Sequence, residues 1–195
     1  FINIASAGNA QNFGELATGR SVRATSSETR GLLACGFVSP TGSNIIEYIT
    51  MASTGNGIDF GDSTHQRRNF AILSSSTRAV LAGGESPATI NVMDYVEIGT
   101  LGNALDFGDL TANRQGNTGM SSPVRGIYTG DQNDYNTTSA EFITIASKGN
   151  AHDFGELSDT FANGGSASNG VRGLTAGGYN GGSRISLVSS CIMAS

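Results

Sequence analysis

A Gly-Asn dipeptide recurs at a fixed interval of 47 residues along the 195-residue chain. The four copies are Gly8-Asn9, Gly55-Asn56, Gly102-Asn103 and Gly149-Asn150. A strict period of this length indicates one structural unit copied along the chain, with neighbouring units covering each other's apolar faces. The chain is therefore predicted to fold as a repeat protein, in a single domain over residues 1–195.

Other residues keep the same register within each unit. A phenylalanine followed by glycine and an acidic residue stands at Phe13, Phe60, Phe107 and Phe154. An arginine recurs at Arg30, Arg78, Arg125 and Arg172. We interpret both sets as structural positions of the repeat.

Each unit reads as four short β-strands. In the second unit, the strand-like runs cover residues 45–53, 58–63, 69–74 and 78–84, with glycine-rich or polar turns between them. Apolar residues nowhere recur with helical spacing over three turns, so almost no helix is expected. Four strands in a unit of this length are typical of a propeller blade. The predicted fold class is all-β: a β-propeller of four repeats with four antiparallel strands per blade.

The approximate units are residues 1–44, 45–91, 92–138 and 139–184, followed by a surplus copy of the third strand at 185–195. Because the chain begins inside a third strand, two arrangements are open. In one, four blades close, and one blade takes outer strands from the N-terminal residues and inner strands from the C-terminal residues. In the other, the chain is part of a larger ring completed by a second chain or by further sequence, and a homo-oligomer is then expected.

The charge of the chain argues against some classes of binding partner. Lys and Arg number 11 against 16 Asp and Glu, giving a net charge of −5. Such a chain lacks the basic stripe that nucleic acid requires and the positive charge that anionic membranes attract. No apolar run is long enough to span a membrane, and no signal peptide is visible. The two cysteines, Cys35 and Cys191, hold different repeat positions and are expected to be free thiols.

The repeat resembles the kelch motif. Glycine doublets stand at Gly83-Gly84 and Gly177-Gly178, Tyr48 and Tyr95 match the tyrosine of the motif, and phenylalanine replaces its tryptophan. Arg20, Arg67 and Arg114 match the arginine of the motif, which the last unit lacks. The chain departs from the motif in having no Trp and in carrying Cys35-Gly36 and Thr129-Gly130 at doublet positions. The resemblance covers nearly the whole chain and implies a kelch-like β-propeller.

The whole repeat runs from the strand around Tyr48 through the Gly-Asn and Phe-Gly motifs to the recurring arginine. It is similar to tandem repeats in predicted structural and tail proteins of marine bacteriophages, especially those that infect cyanobacteria. This resemblance implies a virion or tail-associated role, with the protein located in the phage particle or otherwise in the cytoplasm of an infected bacterium. No residue of the pattern is itself a functional signature.

The recurring arginines Arg30, Arg78, Arg125 and Arg172 admit two interpretations. They can bind an anion or a glycan, or they can pair with repeat carboxylates and lock one blade to the next. The second is favoured, with the carboxylates of Glu15, Asp62, Asp109 and Glu156 as partners. A further polar position at Asn12, Asp59, Asp106 and Asp153 is expected to bond to its own turn backbone, because its spacing matches no calcium loop.

No catalytic, cofactor or metal site is predicted. His65 and His152 are the only histidines, they hold non-equivalent positions, and neither has a ligand cluster or a nucleophile nearby in sequence. Serine runs lack the context of a nucleophile, and glycine pairs follow strands without opening helices. The chain is therefore expected not to be an enzyme.

The loops after the glycine doublets are the variable parts of the repeat, and loops on a rigid scaffold concentrate binding residues. Tyr135, Asn136, Tyr179 and Asn180 lie in two of them and are the candidate binding residues. The predicted function is a structural or interaction propeller that presents these loops to a protein or to a host surface. The alternative is a lectin-like propeller with one shallow glycan site per blade.

Overall fold

The computed structural model describes residues 1–135 and 137–193. These residues contain fifteen β-strands and no helix, as predicted. The strands form four antiparallel sheets arranged as a four-bladed β-propeller, which confirms the predicted fold class.

Each sheet is one blade, and its strands pair in chain order. Blade 1 contains β1 (Ser21–Ser26), β2 (Arg30–Val38), β3 (Thr41–Thr50) and β4 (Ile58–Arg67). Blade 2 contains β5 (Ala71–Ser74), β6 (Arg78–Ala82), β7 (Val92–Glu97) and β8 (Leu105–Asp109). Blade 3 contains β9 (Thr118–Ser121), β10 (Arg125–Thr129), β11 (Ser139–Thr144) and β12 (His152–Glu156). Blade 4 contains β13 (Gly165–Ser168), β14 (Arg172–Ala176) and β15 (Val188–Ile192).

The first strand of each blade lies at the axis, and serine hydroxyls tie these strands together. The Oγ of Ser74 donates to the carbonyl of Ser26 at 2.9 Å, that of Ser121 to the carbonyl of Ser74 at 2.7 Å, and that of Ser168 to the carbonyl of Ser121 at 2.8 Å. Because the three donor serines Ser74, Ser121 and Ser168 follow one another at intervals of 47 residues, the period of the sequence becomes a ladder of side-chain hydrogen bonds around the axis.

The core lies between the blades. One apolar cluster joins blades 1 and 2, a second joins blades 2 and 3, and a smaller third joins blades 3 and 4. Strand β6 shows the consequence, because Ala79 and Leu81 pack towards blade 1 while Val80 and Ala82 pack towards blade 3. A sheet covered on both faces needs apolar residues on both faces, as the sequence predicted. Burying one such aliphatic side chain stabilises the fold by about 1.5–3 kcal/mol.

Blade 4 is covered on one face only. In β14, Gly173 and Thr175 are buried against blade 3, whereas Arg172, Leu174 and Ala176 are exposed. Within the described ranges, this sheet has three strands, and no apolar cluster joins it to blade 1.

The N-terminal residues 1–15 form a hairpin that copies the outer half of a blade; we call it the N-terminal hairpin. The amide of Gln11 donates to the carbonyl of Phe1 at 2.8 Å, which reproduces the pairing of Ile58 with Tyr48 in blade 1. Strand β15 pairs with β14, and in the described residues no hydrogen bond joins it to this hairpin. The stitching of the two chain ends that the sequence permits is therefore not formed.

Candidate functional site

The two most regular sequence motifs are the two halves of one junction, which we call the inter-blade clip. In the clip between blades 1 and 2, the amide of Gly102 donates to the carbonyl of Phe60 at 2.9 Å. The amide of Ala104 donates to the carbonyl of Asp62 at 2.7 Å, and the side-chain oxygen of Asn103 accepts from the amide of Asp62 at 3.0 Å. The Phe-Gly-acid segment of one unit thus binds the Gly-Asn turn of the next.

The clip occurs three times in the described residues. Phe13 to Glu15 bind the turn at Gly55, and Phe107 to Asp109 bind the turn at Gly149, with the same three hydrogen bonds. The central glycine is required because a Cβ on Gly61 or Gly108 would overlap the carbonyl oxygen of the facing turn. These glycines also adopt φ near +141°, a conformation that side chains disfavour.

The recurring arginines lock blades together, but not through the predicted carboxylates. Arg78 lies over the ring of Tyr95 at 4.4 Å, donates to the carbonyls of Ile145 and Ala146 in blade 3, and forms an ion pair with Glu97. Arg30 likewise lies over the ring of Tyr48 and donates to a carbonyl of blade 2. Pairing with the acidic residues of the Phe-Gly motif was a wrong prediction for these two arginines, because their guanidinium groups reach backbone carbonyls of the following blade and, for Arg78, the carboxylate of Glu97.

The other two recurring arginines, Arg125 and Arg172, lie in blades 3 and 4. Arg125 lies 4.8 Å from the ring centroid of Phe142, which takes the place of the tyrosines. Arg172 is exposed, since Ser190 stands where its aromatic partner would be.

The repeated phenylalanines build one aromatic pair per hairpin. Each meets the aromatic residue of the preceding strand edge to face, with ring centroids 6.0–6.2 Å apart. The pairs are Phe1–Phe13, Tyr48–Phe60, Tyr95–Phe107 and Phe142–Phe154. Phe60 and Phe107 are buried, whereas Phe13 and Phe154 at the two ends are half-buried.

Three buried ion pairs were missed by the sequence analysis. Arg20 contacts Glu47 at 2.7 Å, Arg67 contacts Asp94 at 2.7 Å, and Arg114 contacts Glu141 at 2.6 Å. The signal that could have found them is the acidic residue that follows each arginine after 27 residues. In blade 4 both members are lost together: Phe161 replaces the arginine, and Ser189, which bonds to Ser158, replaces the acid.

Arg67 is the most deeply placed charge. Its guanidinium donates to the carbonyls of Gly83 and Val92 as well as to the Asp94 carboxylate, and its side chain is fully buried. Burial raises the pKa of the nearby Cys35 thiol to about 12, although the positive charge of Arg67 opposes the shift. The Arg67 guanidinium and the Cys35 thiol therefore contact other protein groups and are shielded from a reactant in solution.

The predicted binding tyrosines meet at the loop end of the propeller. Tyr135 and Tyr179, from the loops of blades 3 and 4, contact edge to face with ring centroids 5.5 Å apart. The hydroxyl of Tyr179 donates to the carbonyl of Gly181 at 2.9 Å, and Gly181 lies against the Tyr135 ring. Tyr179 remains 38% exposed. We call Tyr135, Tyr179 and Gly181 the tyrosine patch.

The two predicted asparagines have different outcomes. The side-chain oxygen of Asn180 accepts hydrogen bonds from the amides of Gly182 and Ser183, so this residue shapes the turn beside the tyrosine patch. Asn136 lies outside the described residues.

Side-chain amides from the loops of blades 3 and 4 lie close together near the tyrosine patch. Asn163 donates to Gln132 at 3.0 Å, and the amide group of Gln115 lies 2.7 Å from Asn133. Burial raises the pKa of the neighbouring Asp131 above 3.8, although the amide of Asn133, 2.8 Å from its Oδ1, opposes the shift. This end of the propeller therefore carries side-chain amides that contact one another close to the tyrosine patch.

The opposite end of the axis carries a serine-rich cup of about 600 Å³ with contributions from all four blades. Most of its hydroxyls are already engaged. Ser75 accepts from the amide of Arg78 at 3.2 Å, Ser122 accepts from the amide of Arg125 at 2.9 Å, and the axial serines donate to one another's carbonyls. The cup is thus built from turn and ladder contacts.

The remaining polar positions serve local structure. Asn12 accepts from the amide of Gly14, and Asp153 accepts from the amide of Gly155, which confirms the prediction for two of the four residues at this turn position. His65 and His152 are exposed. Among the described residues there is no group of three or more His, Cys, Asp or Glu side chains that could hold a metal ion.

No known family model matches the chain, and no curated protein is significantly similar to it. Across residues 1–135 and 137–193, no helix is long and apolar enough to cross a membrane.

Proposed function

We propose that the chain is a non-enzymatic interaction module of a phage particle, which binds a protein partner through the tyrosine patch. The propeller fold is a rigid support for loops, and the observation that carries the proposal is the contact between Tyr135 and Tyr179. Two rings from different blades, locked edge to face, give a pre-organised apolar surface with a polar hydroxyl at its edge.

The absence of enzymatic activity is part of this proposal. It is supported by the use that the fold makes of its chemically capable groups. The buried carboxylates of Glu47, Asp94 and Glu141 each face an arginine, and Cys35 is buried with a raised pKa. A general acid or base needs to reach a substrate, and these groups do not.

A single patch distinguishes a protein-binding module from a lectin with one site per blade. The tyrosine pair occurs between blades 3 and 4, whereas the position of blade 1 that corresponds to Tyr179 holds Phe37, which lies near the end of β2 and beside Arg68 instead. A repeated glycan site would place equivalent aromatic residues on every blade.

The test is binding of labelled protein to intact marine cyanobacterial cells and, in parallel, to a glycan array. Tyr135→Ala combined with Tyr179→Ala is expected to weaken cell binding at least tenfold, as loss of aromatic anchors usually does. Phe37→Ala is the matched control, because Phe37 is 37% exposed and lies at the same end of the propeller. Equal effects of the two changes would refute the proposed site, and saturable binding to several glycans would favour the lectin alternative.

The location in a phage particle rests on the resemblance of the repeats. Mass spectrometry of purified particles from the source phage is expected to detect the chain. Its presence in infected cells but not in particles would contradict this location.

A further inference from the structure

One repeat position faces the following blade, and its burial changes only at blade 4. This position holds Leu32, Val80, Ile127 and Leu174 in the four blades. The first three are completely buried, whereas Leu174 is 39% exposed. An aliphatic position that is buried in three copies and open in the fourth marks a face made for an identical neighbour.

A second repeat position faces the preceding blade, and its burial changes only at blade 1. This position holds Met51, Ile98, Ile145 and Met193. The last three are buried, whereas Met51 is 48% exposed. The chain therefore displays, at opposite ends, the two faces that pack together inside it.

The inter-blade clip shows the same pattern. The described residues contain three clips, and each end of the propeller keeps one unused half. At blade 3, Phe154 to Glu156 present the acceptor segment, and a Cβ on Gly155 would meet nothing within 4 Å. At the N-terminal hairpin, the Gly8-Asn9 turn is exposed, and its amides bind no other part of the described chain.

A cavity of about 290 Å³ lies beside the unused acceptor segment, between blades 3 and 4. Its lining includes Ile127, Phe154 and Cys191. At the two preceding junctions the residue after the Gly-Asn turn, Ala104 or Ala151, belongs to the core cluster. The equivalent residue of the unused turn is Ala10, whose methyl group would enter this cavity.

We propose that a second copy of the chain docks head to tail on the blade 4 end. Its Gly8-Asn9 turn binds Phe154 to Glu156, its residues 11–15 run along β15 as the missing fourth strand, and its Met51 covers Leu174. The three junctions inside the chain are the template for every one of these contacts, and no new type of interaction is needed. The interface is heterologous, so it builds rings or filaments instead of a two-fold dimer.

The same template assigns a role to Arg172, which is exposed in the single chain. The guanidinium of Arg172 takes the place that Arg78 has inside the chain and donates to the carbonyl of Met51 in the second copy. Residues 1–6, which now hold the edge of residues 11–15, must move aside for β15. Deleting residues 1–6 is therefore expected to strengthen association.

The first experiment measures the mass of the full chain by light scattering after size-exclusion chromatography, from low to high micromolar concentration. We expect masses that are multiples of 20.0 kDa and that rise with concentration. Leu174→Lys and Met51→Lys are each expected to give single chains, whereas Val124→Lys, at a 60% exposed valine away from both faces, is expected to leave association unchanged. Gly155→Val is a further variant, because its side chain has space in the single chain, although the φ of +129° strains the backbone there, and would overlap the docked turn.

The second experiment mixes the Leu174→Lys and Met51→Lys proteins. Each retains one intact face, so the mixture is expected to form a species with twice the mass of one chain, although neither protein associates alone. A native chain that stays at 20.0 kDa at every concentration would overturn the proposal. Association that survives both Leu174→Lys and Gly155→Val, or a mixture that gives only single chains, would also overturn it.

Discussion

At the scale of residues, the buried ion pairs show that several of the few charged side chains of this sequence lie in the interior and pair with each other. Arg67 has no exposed side-chain area, yet its guanidinium reaches one carboxylate and two carbonyls. A buried charge is tolerated only when such partners surround it, because its transfer from water is costly. The pairs at Arg20, Arg67 and Arg114 therefore fix the segment that leads into each of blades 1, 2 and 3 to the third strand of that blade, which is β3, β7 or β11.

Removing the carboxylate of Asp94 tests this role. Asp94→Asn leaves the Arg67 charge buried without its counter-ion, so we expect a loss of about 3–5 kcal/mol in the free energy of unfolding. The control is Glu97→Gln, which breaks the partly exposed pair with Arg78 and is expected to cost less than about 1 kcal/mol. Chemical denaturation of both variants measures the difference, and similar losses would show that the buried pair is not specially important.

Cys35 provides a pH-dependent test of the same region. Because burial raises its pKa from 9.0 to about 12, the folded chain retains a proton that the unfolded chain releases above pH 9. Its contribution to stability is complete below the unfolded pKa and is lost as the pH rises towards the folded value.

We therefore compare the chain with Cys35→Ala by chemical denaturation at pH 8 and pH 10. The difference in the free energy of unfolding between the two proteins is expected to shift by about 1 kcal/mol, against the native chain at the higher pH. A difference that is independent of pH would indicate that the thiol is open to solvent in the folded state.

At the scale of elements, the inter-blade clip joins a strand of one blade to a turn of the next through backbone groups. The Phe-Gly segment presents carbonyls on either side of a glycine, and the Gly-Asn turn presents amides that reach them. Three such hydrogen bonds satisfy polar groups that would otherwise remain open at the edge of each outer strand. The regular spacing of the two motifs in the sequence follows from this shared contact.

Two glycine substitutions separate the clip from simple backbone strain. Gly108 has φ of +141° and faces the turn at Gly149, whereas Gly155 has φ of +129° and faces open space. Since the backbone strain of an alanine is comparable at the two sites, Gly108→Ala is expected to lower the free energy of unfolding by about 2–3 kcal/mol more than Gly155→Ala. The comparison is made by denaturation at concentrations below those at which the chain associates. Equal losses would mean that the close approach at Gly108 contributes little.

At the scale of the whole molecule, repetition made the fold predictable. Only the period, the strand pattern and the glycines were needed to expect a β-propeller, because each unit must cover the apolar face of its neighbour. The predicted units do not coincide with the blades, since each complete blade takes its first two strands from one unit and its last two from the next. This offset was visible in the sequence, which begins with the copy of a third strand.

Contacts between distant residues were harder to predict. The sequence placed Arg78 in the repeat but not its carbonyl partner Ile145, because a backbone acceptor leaves no mark in the residue type. It named Tyr135 and Tyr179 as candidates for binding, but their mutual contact depends on how two variable loops fold. The features that recur in every unit could be predicted from the sequence. The contacts that occur only once could be found only in the structure.

Amide hydrogen exchange at Gly55, Gly102 and Gly149 tests most directly whether clips between blades hold the propeller together. These glycines are exposed, yet their amides donate to Phe13, Phe60 and Phe107. We predict that the three amides exchange slowly, with protection approaching that of the central strand amide of Val80. Exchange as fast as that of an unbonded surface turn at all three glycines would contradict the account.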